Sequence, residues 1–417
     1  MTKTIKLAVV AALALGATSA FATNGDVMIG QGAKSRAMGG VGIAKAFGAE
    51  SALANPANIS SVKDMEATLA VTAFMPSVSF KSSFAGQNPS YEDSAKNFET
   101  IPEIYYAARL SDNLVLGLAI AGTAGMGVDY SSDATGATAP MGDSGTARMK
   151  TSLGLLKVAV PVSYTIGGFT VGVEGVLQYG TLEMSHAYNT TGQPQGPYAF
   201  LDNGQSSDIG YGIEVGATYT TGGLTLGAVY KSKIGMTYDK TIASSIAVFG
   251  QSANITSGDN LDQPEERGVG ISYVMGSNTI SADYKNIAWG DAAGYGDFGW
   301  ENQDVYALGY EYGADTWAVR AGYNYAKSPI VEQDGNTQKG AAQNFFNLSG
   351  FPGIVETHYT IGGGYDISDA ITLDGSFIYV PETTASYSIR GLTGQAGTTA
   401  DVTHSQMGVT IAGTYAF

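Results

Sequence analysis

The segments able to join strands in this 417-residue chain alternate in length. Six are tight: Ser111-Asp112-Asn113, Gly167-Gly168, Gly222-Gly223, Gly276-Ser277-Asn278, Gly313-Ala314-Asp315 and Ile367-Ser368-Asp369. Seven others are polar and run to about 11–27 residues each, the short-and-long pattern of a barrel with tight turns at one end and long loops at the other. Six turns and seven loops join fourteen strands. A soluble sheet has no physical reason to sort its loops by parity. The expected fold is therefore all-β, a 14-stranded antiparallel transmembrane β-barrel.

The residues between these connections alternate with period two. Met407, Val409, Ile411, Gly413, Tyr415 and Phe417 fall on one face of the last segment; Gln406, Gly408, Thr410, Ala412, Thr414 and Ala416 fall on the other. Ile371, Leu373 and Phe377 alternate with Thr372, Asp374 and Ser376, and Val171 and Val173 with Glu174. Strand side chains point to opposite faces in turn, so each such strand has one greasy and one polar side. A soluble sandwich shows the same alternation. Aromatics near strand ends (Tyr105, Tyr106, Tyr164, Tyr312, Tyr365) favour the barrel, where they would form girdles at the lipid boundary.

The beginning of the chain has another character. Lys3 and Lys6 precede the apolar run Leu7 to Leu15, and Ala20-Phe21-Ala22 fits a small-x-small cleavage site. Residues 1–22 are thus expected to be a secretory signal, 23–63 a separate unit and 64–417 the barrel. Residues 23–63 are rich in Gly and Ala, lack a period-two run and end in Asn55-Pro56-Ala57. They are too uncharged for a solvated tail, so a compact plug (a hatch) inside the barrel is expected. Cysteine is absent, so no disulfide forms even in an oxidising compartment. The net charge of −16 leaves nothing to neutralise phosphates, which excludes a nucleic-acid partner.

Little here could carry chemistry. The three histidines, His186, His358 and His404, have no metal spacing and fall near outer strand ends, where surface or rim positions are expected. No motif marks a nucleophile. Neither enzyme activity, nor a metal, nor a cofactor is expected. The long loops say more, because they carry apolar side chains that solvated loops have no use for: Tyr198, Phe200 and Leu201; Ile242, Ile246 and Phe249; Phe345, Phe346 and Phe351. They either pack on one another as a lid or form an outer landing groove for a hydrophobic ligand. Gly122, Gly125 and Gly127 in the third strand point to a bulge or bend, and so to a place where the wall could open sideways. The inward charges Glu174, Asp283, Lys285, Glu311, Arg320 and Asp374 are expected to pair with one another, since unpaired buried charge is costly.

These residues together resemble the FadL-type family of outer-membrane transporters for long-chain fatty acids and aromatic hydrocarbons. The resemblance starts at the Gly-rich segment ending in Asn55-Pro56-Ala57. It continues through Leu261 to Glu265, Tyr306-Ala307-Leu308-Gly309, Trp317 to Gly322 and Ser328-Pro329-Ile330, and closes at Thr414-Tyr415-Ala416-Phe417. It implies passive uptake: capture by the outer loops, a luminal pocket gated by the hatch, and lateral exit at a kinked third strand. Its implied partners are the hydrophobic ligand and outer-membrane lipid and lipopolysaccharide. The chain would act as a monomer in a Gram-negative outer membrane, with both termini periplasmic. Fatty-acid members place basic residues in the deep pocket; Thr181 and Gln303 stand at the matching positions here, which favours a neutral ligand. The competing expectation is a general porin for hydrophilic solutes, whose lumen would be open.

Overall fold

A computed structural model describes residues 24–85, 89–133, 141–189, 198–247 and 258–417. Fourteen strands form one antiparallel sheet: β1 (Met65–Ser82), β2 (Glu99–Arg109), β3 (Leu114–Met126), β4 (Lys150–Ile166), β5 (Phe169–Asn189), β6 (Tyr198–Thr221), β7 (Leu224–Lys231), β8 (Glu266–Met275), β9 (Asn278–Ile287), β10 (Gln303–Gly313), β11 (Trp317–Ala326), β12 (Thr357–Ser368), β13 (Ile371–Ser388) and β14 (Thr399–Ala416). A two-residue segment, Glu92–Asp93, pairs beside β1. Each strand bonds to its neighbours in sequence, and β14 closes on β1 from Glu66 opposite Ala416 to Ser82 opposite Ala400. The sheet is a closed barrel, so it has no free lateral edge. All six tight turns occur where the sequence places them, with Gly167, Gly222, Gly223 and Gly276 at positive φ.

The period-two pattern maps onto the two faces. In β14, Met407, Val409, Ile411 and Tyr415 are exposed, whereas Gln406, Thr410, Ala412 and Thr414 are buried. In a soluble sheet the apolar row would be the buried one; here it faces outward, as lipid requires. Tyr106, Tyr164, Tyr312 and Tyr365 are exposed on the outer face. Tyr105 is not with them. It is fully buried, because successive residues of a strand face opposite ways and Tyr106 takes the outward place. The seventh strand stops at Lys231. Beyond it Ile234 and Met236 fold against Gly210 and Gly212 of β6, where a Cβ would collide with them, and Ile234 pairs with Gln263.

The leading residues 24–63 pack within the bore. Helix α1 (Gly32–Ala37) lies against β11–β14, and the 3-10 turn Pro56–Ser61 lies against β3–β6, the opposite wall. Inward glycines allow this close approach. A Cβ at Gly322 would stand 2.0 Å from the Gly39 nitrogen, and one at Gly172 would stand 2.2 Å from the Ala57 nitrogen. The glycine content of the barrel therefore serves the backbone it encloses. Three further helices belong to the loops: α2 (Ile242–Ala247), α3 (Gln338–Gly350) and α4 (Arg390–Thr393).

Candidate functional site: luminal segment, wall seam and loop cluster

Asn55 begins the Pro56–Ser61 turn as its N-cap. Its Oδ1 accepts from the Ala57 N–H at 3.0 Å and its Nδ2 donates to the Ile43 carbonyl at 2.7 Å. Pro56 occupies the first helical position, where a missing N–H costs nothing. Ala57 sits fully buried over Gly172. The neighbouring Asn58 donates to the Gly42 carbonyl at 2.8 Å, so both amides tie the turn to residues 42–43. On the other side Asp283 of β9 accepts from the backbone N–H groups of Gly42 and Ile43 at 2.7 and 2.9 Å.

Charges hold the same segment to the wall. Arg36 donates to both carboxylate oxygens of Glu103 and, at 2.8 Å, to Thr72 Oγ1, all fully buried. A chain of alternating sign runs Glu50–Lys34–Asp374–Arg320–Glu311–Lys45, with contacts of 3.1, 3.6, 2.7, 2.6 and 2.8 Å. Glu311, Arg320 and Asp374 thus pair as the sequence suggests. Their partners Lys34, Lys45 and Glu50, and the Arg36–Glu103 pair, had no sequence signal, because the positions that meet are far apart in the chain.

The wall has a seam between β2 and β3. Pairing between β2 and β3 runs from Arg109–Val115 only to Glu103–Ala121. At that level β3 shifts register against β4 between Gly122 and Ala124. The freed edge of β3 is bonded by the leading segment instead. Val27 bridges Ala124, Met28 N–H donates to the Thr123 carbonyl at 3.1 Å, and Gly125 N–H donates to the Asp26 carbonyl at 3.0 Å. Above, Ala95 N–H donates to the Asp129 carbonyl at 2.8 Å. Gly122 lies against Ile101, and a Cβ at Gly127 would fall 2.4 Å from the Thr151 carbonyl oxygen.

Of the loop residues, Ile242, Ile246, Phe345, Phe346 and Phe351 are buried together in one apolar cluster. It also holds Trp289, Tyr295 and Trp300, whose rings lie 4.7–5.2 Å apart. The same cluster reaches Ala124 and Met126 of β3 and Leu53 and Ile59 of the luminal segment. Phe200 is exposed beneath the Arg148 guanidinium, and Leu201 beside it is half-buried. Phe249 and the Tyr198 side chain lie outside the described residues. Helix α3 carries Phe345 and Phe346; Thr337 caps it, and Asn347 donates to the Phe298 carbonyl at 2.9 Å while accepting from Trp300 Nε1 at 3.0 Å. The aromatic trio was missed in the sequence; two of the chain's three tryptophans within twelve residues were the available signal.

Thr181 and Gln303 are buried on strands five apart and are not brought together. The Gln303 amide accepts from Trp289 Nε1 at 3.2 Å and donates to the Lys327 carbonyl at 2.9 Å. The histidines are buried, contrary to the expectation of rim positions, because the loops fold over the barrel mouth. His404 contacts the Pro352 carbonyl at 2.7 Å and His186 that of Ser245 at 2.9 Å. Two small cavities flank the luminal segment and share Val27, Gln31, Leu53, Lys231 and Glu266. One of them also borders Thr123 and Ala124 at the seam. Its lysines are matched: Lys157 bonds Glu214 at 2.9 Å, and Lys231 lies 3.6 Å from Glu266 and donates to the Leu53 carbonyl at 2.9 Å.

Residues 8–417 match the model of a family described as outer membrane protein transport protein (OMPP1/FadL/TodX). Comparison with curated proteins returns no match. Solved structures share the fold at low identity. A Pseudomonas aeruginosa FadL homologue aligns with a TM-score of 0.68 at 15% identity, over 94% of this chain and 100% of its own. The Pseudomonas putida toluene transporter TodX aligns at 0.68 and 17%, over 95% and 100%. The Ralstonia pickettii toluene transporter TbuX aligns at 0.61 and 18%, over 93% and 98%.

Proposed function

The chain belongs to the outer membrane protein transport protein family (OMPP1/FadL/TodX), a family of outer-membrane channels and not of enzymes, and from that premise we propose that it carries hydrophobic small molecules passively into the membrane through the β2–β3 seam. The observation that carries this is the single apolar cluster running from the outer loops to Ala124 and Met126 at the seam. Elsewhere residues 24–63 meet the wall through ion pairs and through smaller, separate apolar clusters. An apolar solute gains about 25 cal/mol for each Å2 it keeps out of water, so it follows the greasy path and is turned away from the charged one.

In this proposal Ile242, Ile246, Phe345, Phe346 and Phe351 form a lid that parts to become the landing groove, with Phe200 and Leu201 at its rim, and Tyr198 and Phe249 belong to the same ligand-binding set. Asn55, Pro56 and Ala57 anchor the hatch, and Gly122, Gly125 and Gly127 keep the seam narrow enough for backbone to seal it. Thr181 and Gln303 are neutral at the positions where fatty-acid members carry basic residues, which supports neutral aromatic hydrocarbons over fatty acids. The likeness to toluene transporters points the same way. The long loops would face outward, both termini the periplasm, and the monomer would suffice.

The test compares toluene and oleate uptake in cells with and without the protein, alongside bilayer conductance. Toluene uptake above background with little steady conductance is the expected outcome. A large steady conductance would establish an open porin instead.

A further inference from the structure

Asp26, in the leading segment, engages both the loops and the seam with its polar atoms. Its carbonyl accepts from Gly125 of β3. Its carboxylate accepts from the hydroxyl of Tyr295, a member of the loop aromatic trio, and at 3.0 Å from Nε2 of Gln263. Its neighbour Gly25 packs so tightly on Trp289 that a Cβ would stand 2.5 Å from the indole ring. The other carboxylate oxygen, Oδ1, is buried without a hydrogen-bond partner.

Resting on the exit route proposed above, we propose that Asp26 is the interlock of this channel, a positioning residue through which displacement of Tyr295 by an apolar ligand in the loop cluster releases residues 26–28 from β3. The two hydrogen bonds to the carboxylate hold the leading residues from the loop side. The backbone bonds to Thr123 and Gly125 hold them from the wall side. When Tyr295 moves, a buried carboxylate keeps Gln263 alone, and an under-solvated buried charge is driven toward water. Its departure takes the Met28–Thr123 and Gly125–Asp26 bonds with it, and the seam loses its seal.

Acid should tighten the interlock. Asp26 lies outside the spanning strands, and burial lifts its carboxyl to about 6, while the hydrogen bonds from Tyr295 and Gln263 lower it; Glu266 of β8 raises it and Lys157 of β4 lowers it. Tyr238, also in the loops, faces it as well. A folded value above the ordinary one means that docking is most stable below about pH 4 and weakens as pH rises through about 6.

The chain has no cysteine, so single thiols report cleanly. Alkylation of Ala124→Cys by N-ethylmaleimide, in the full chain in lipid nanodiscs and normalised to a thiol at exposed Ser277, measures how often the seam opens. Toluene should raise that rate at least threefold in the parent. Tyr295→Phe and Asp26→Ala should raise it as much without toluene and respond to toluene no further. Asp26→Asn keeps an acceptor and loses the charge, so it should return the rate to the parent level and abolish its rise from pH 5 to 7.5. The exit route is tested separately by a Val27→Cys/Ala124→Cys disulfide. If the disulfide stops toluene uptake but Tyr295→Phe alkylates like the parent, the interlock is overturned and the route stands. Uptake that persists through the disulfide removes the seam and the interlock with it.

Discussion

Two seams of one barrel can be set side by side. At closure, β14 and β1 pair over seventeen residues, from Glu66–Ala416 to Ser82–Ala400, with Thr68–Thr414 and Thr72–Thr410 hydroxyl pairs at 2.9 and 2.8 Å on the inner face. Between β2 and β3 the ladder holds for seven, and the exposed backbone of Thr123 to Gly125 is satisfied by residues of the luminal segment. Both seams leave few backbone groups unpaired, as a membrane wall demands. They differ in what supplies the partner. The closure seam is sealed by strand on strand and opens only by unfolding the barrel. The other is sealed by a segment held by two backbone bonds at this edge and by side chains elsewhere, which on the proposed route leaves while the barrel stays shut.

The largest effect is expected from cross-linking each seam. Val27 and Ala124 form a wide, non-hydrogen-bonded pair, the geometry in which Cα atoms come within disulfide reach. Oxidised Val27→Cys/Ala124→Cys should abolish toluene uptake, and a reductant should restore it. Oxidised Thr68→Cys/Thr414→Cys at the closure seam should leave uptake as it was. Equal losses at both seams would erase the distinction between them.

Next comes the charge that holds the segment. Arg36→Ala leaves Glu103 buried and unpaired, a loss of about 3–5 kcal/mol. Amide hydrogen exchange over residues 24–63 should rise a hundredfold or more, while β1 and β14 exchange as before. Bulk at the third strand should act more mildly. Gly122→Val would press on Ile101, where a Cβ already falls 2.8 Å from Cγ2, and Gly125→Val would stiffen the backbone that donates to the Asp26 carbonyl; toluene uptake should slow severalfold with the barrel assembled. The smallest change is Asn55→Ala, which removes a cap worth about 1 kcal/mol. It should impair uptake modestly without affecting folding in the membrane, read as unchanged heat-modifiable mobility on gels.

The barrel was legible in the sequence because its determinants are local. A tight turn needs Gly or Asn within two or three residues, and a lipid-facing strand needs an apolar side chain at every second one. Asn55-Pro56-Ala57 was legible as a boundary for the same reason, since Asn as a cap and Pro at the first helical position act on adjacent backbone. The seam was half legible: Gly122, Gly125 and Gly127 marked a defect in β3, but nothing in them said that Asp26, Val27 and Met28 would fill it. The histidines were misplaced because strand position shows distance along the barrel and not what loops later cover. Tyr105 was misplaced because being near a strand end does not say which face a residue takes.

The sequence by itself determined the strand count, the face turned to lipid and the location of the turns, all of which follow from backbone periodicity over a few residues. Only the tertiary structure decided which carboxylate meets which cation, that the loop aromatics close over the mouth, and that the opening residues of the described chain complete the wall. Those outcomes depend on contacts between positions tens to hundreds of residues apart. Such contacts form once the barrel has closed and its inward glycines have left room for a second backbone.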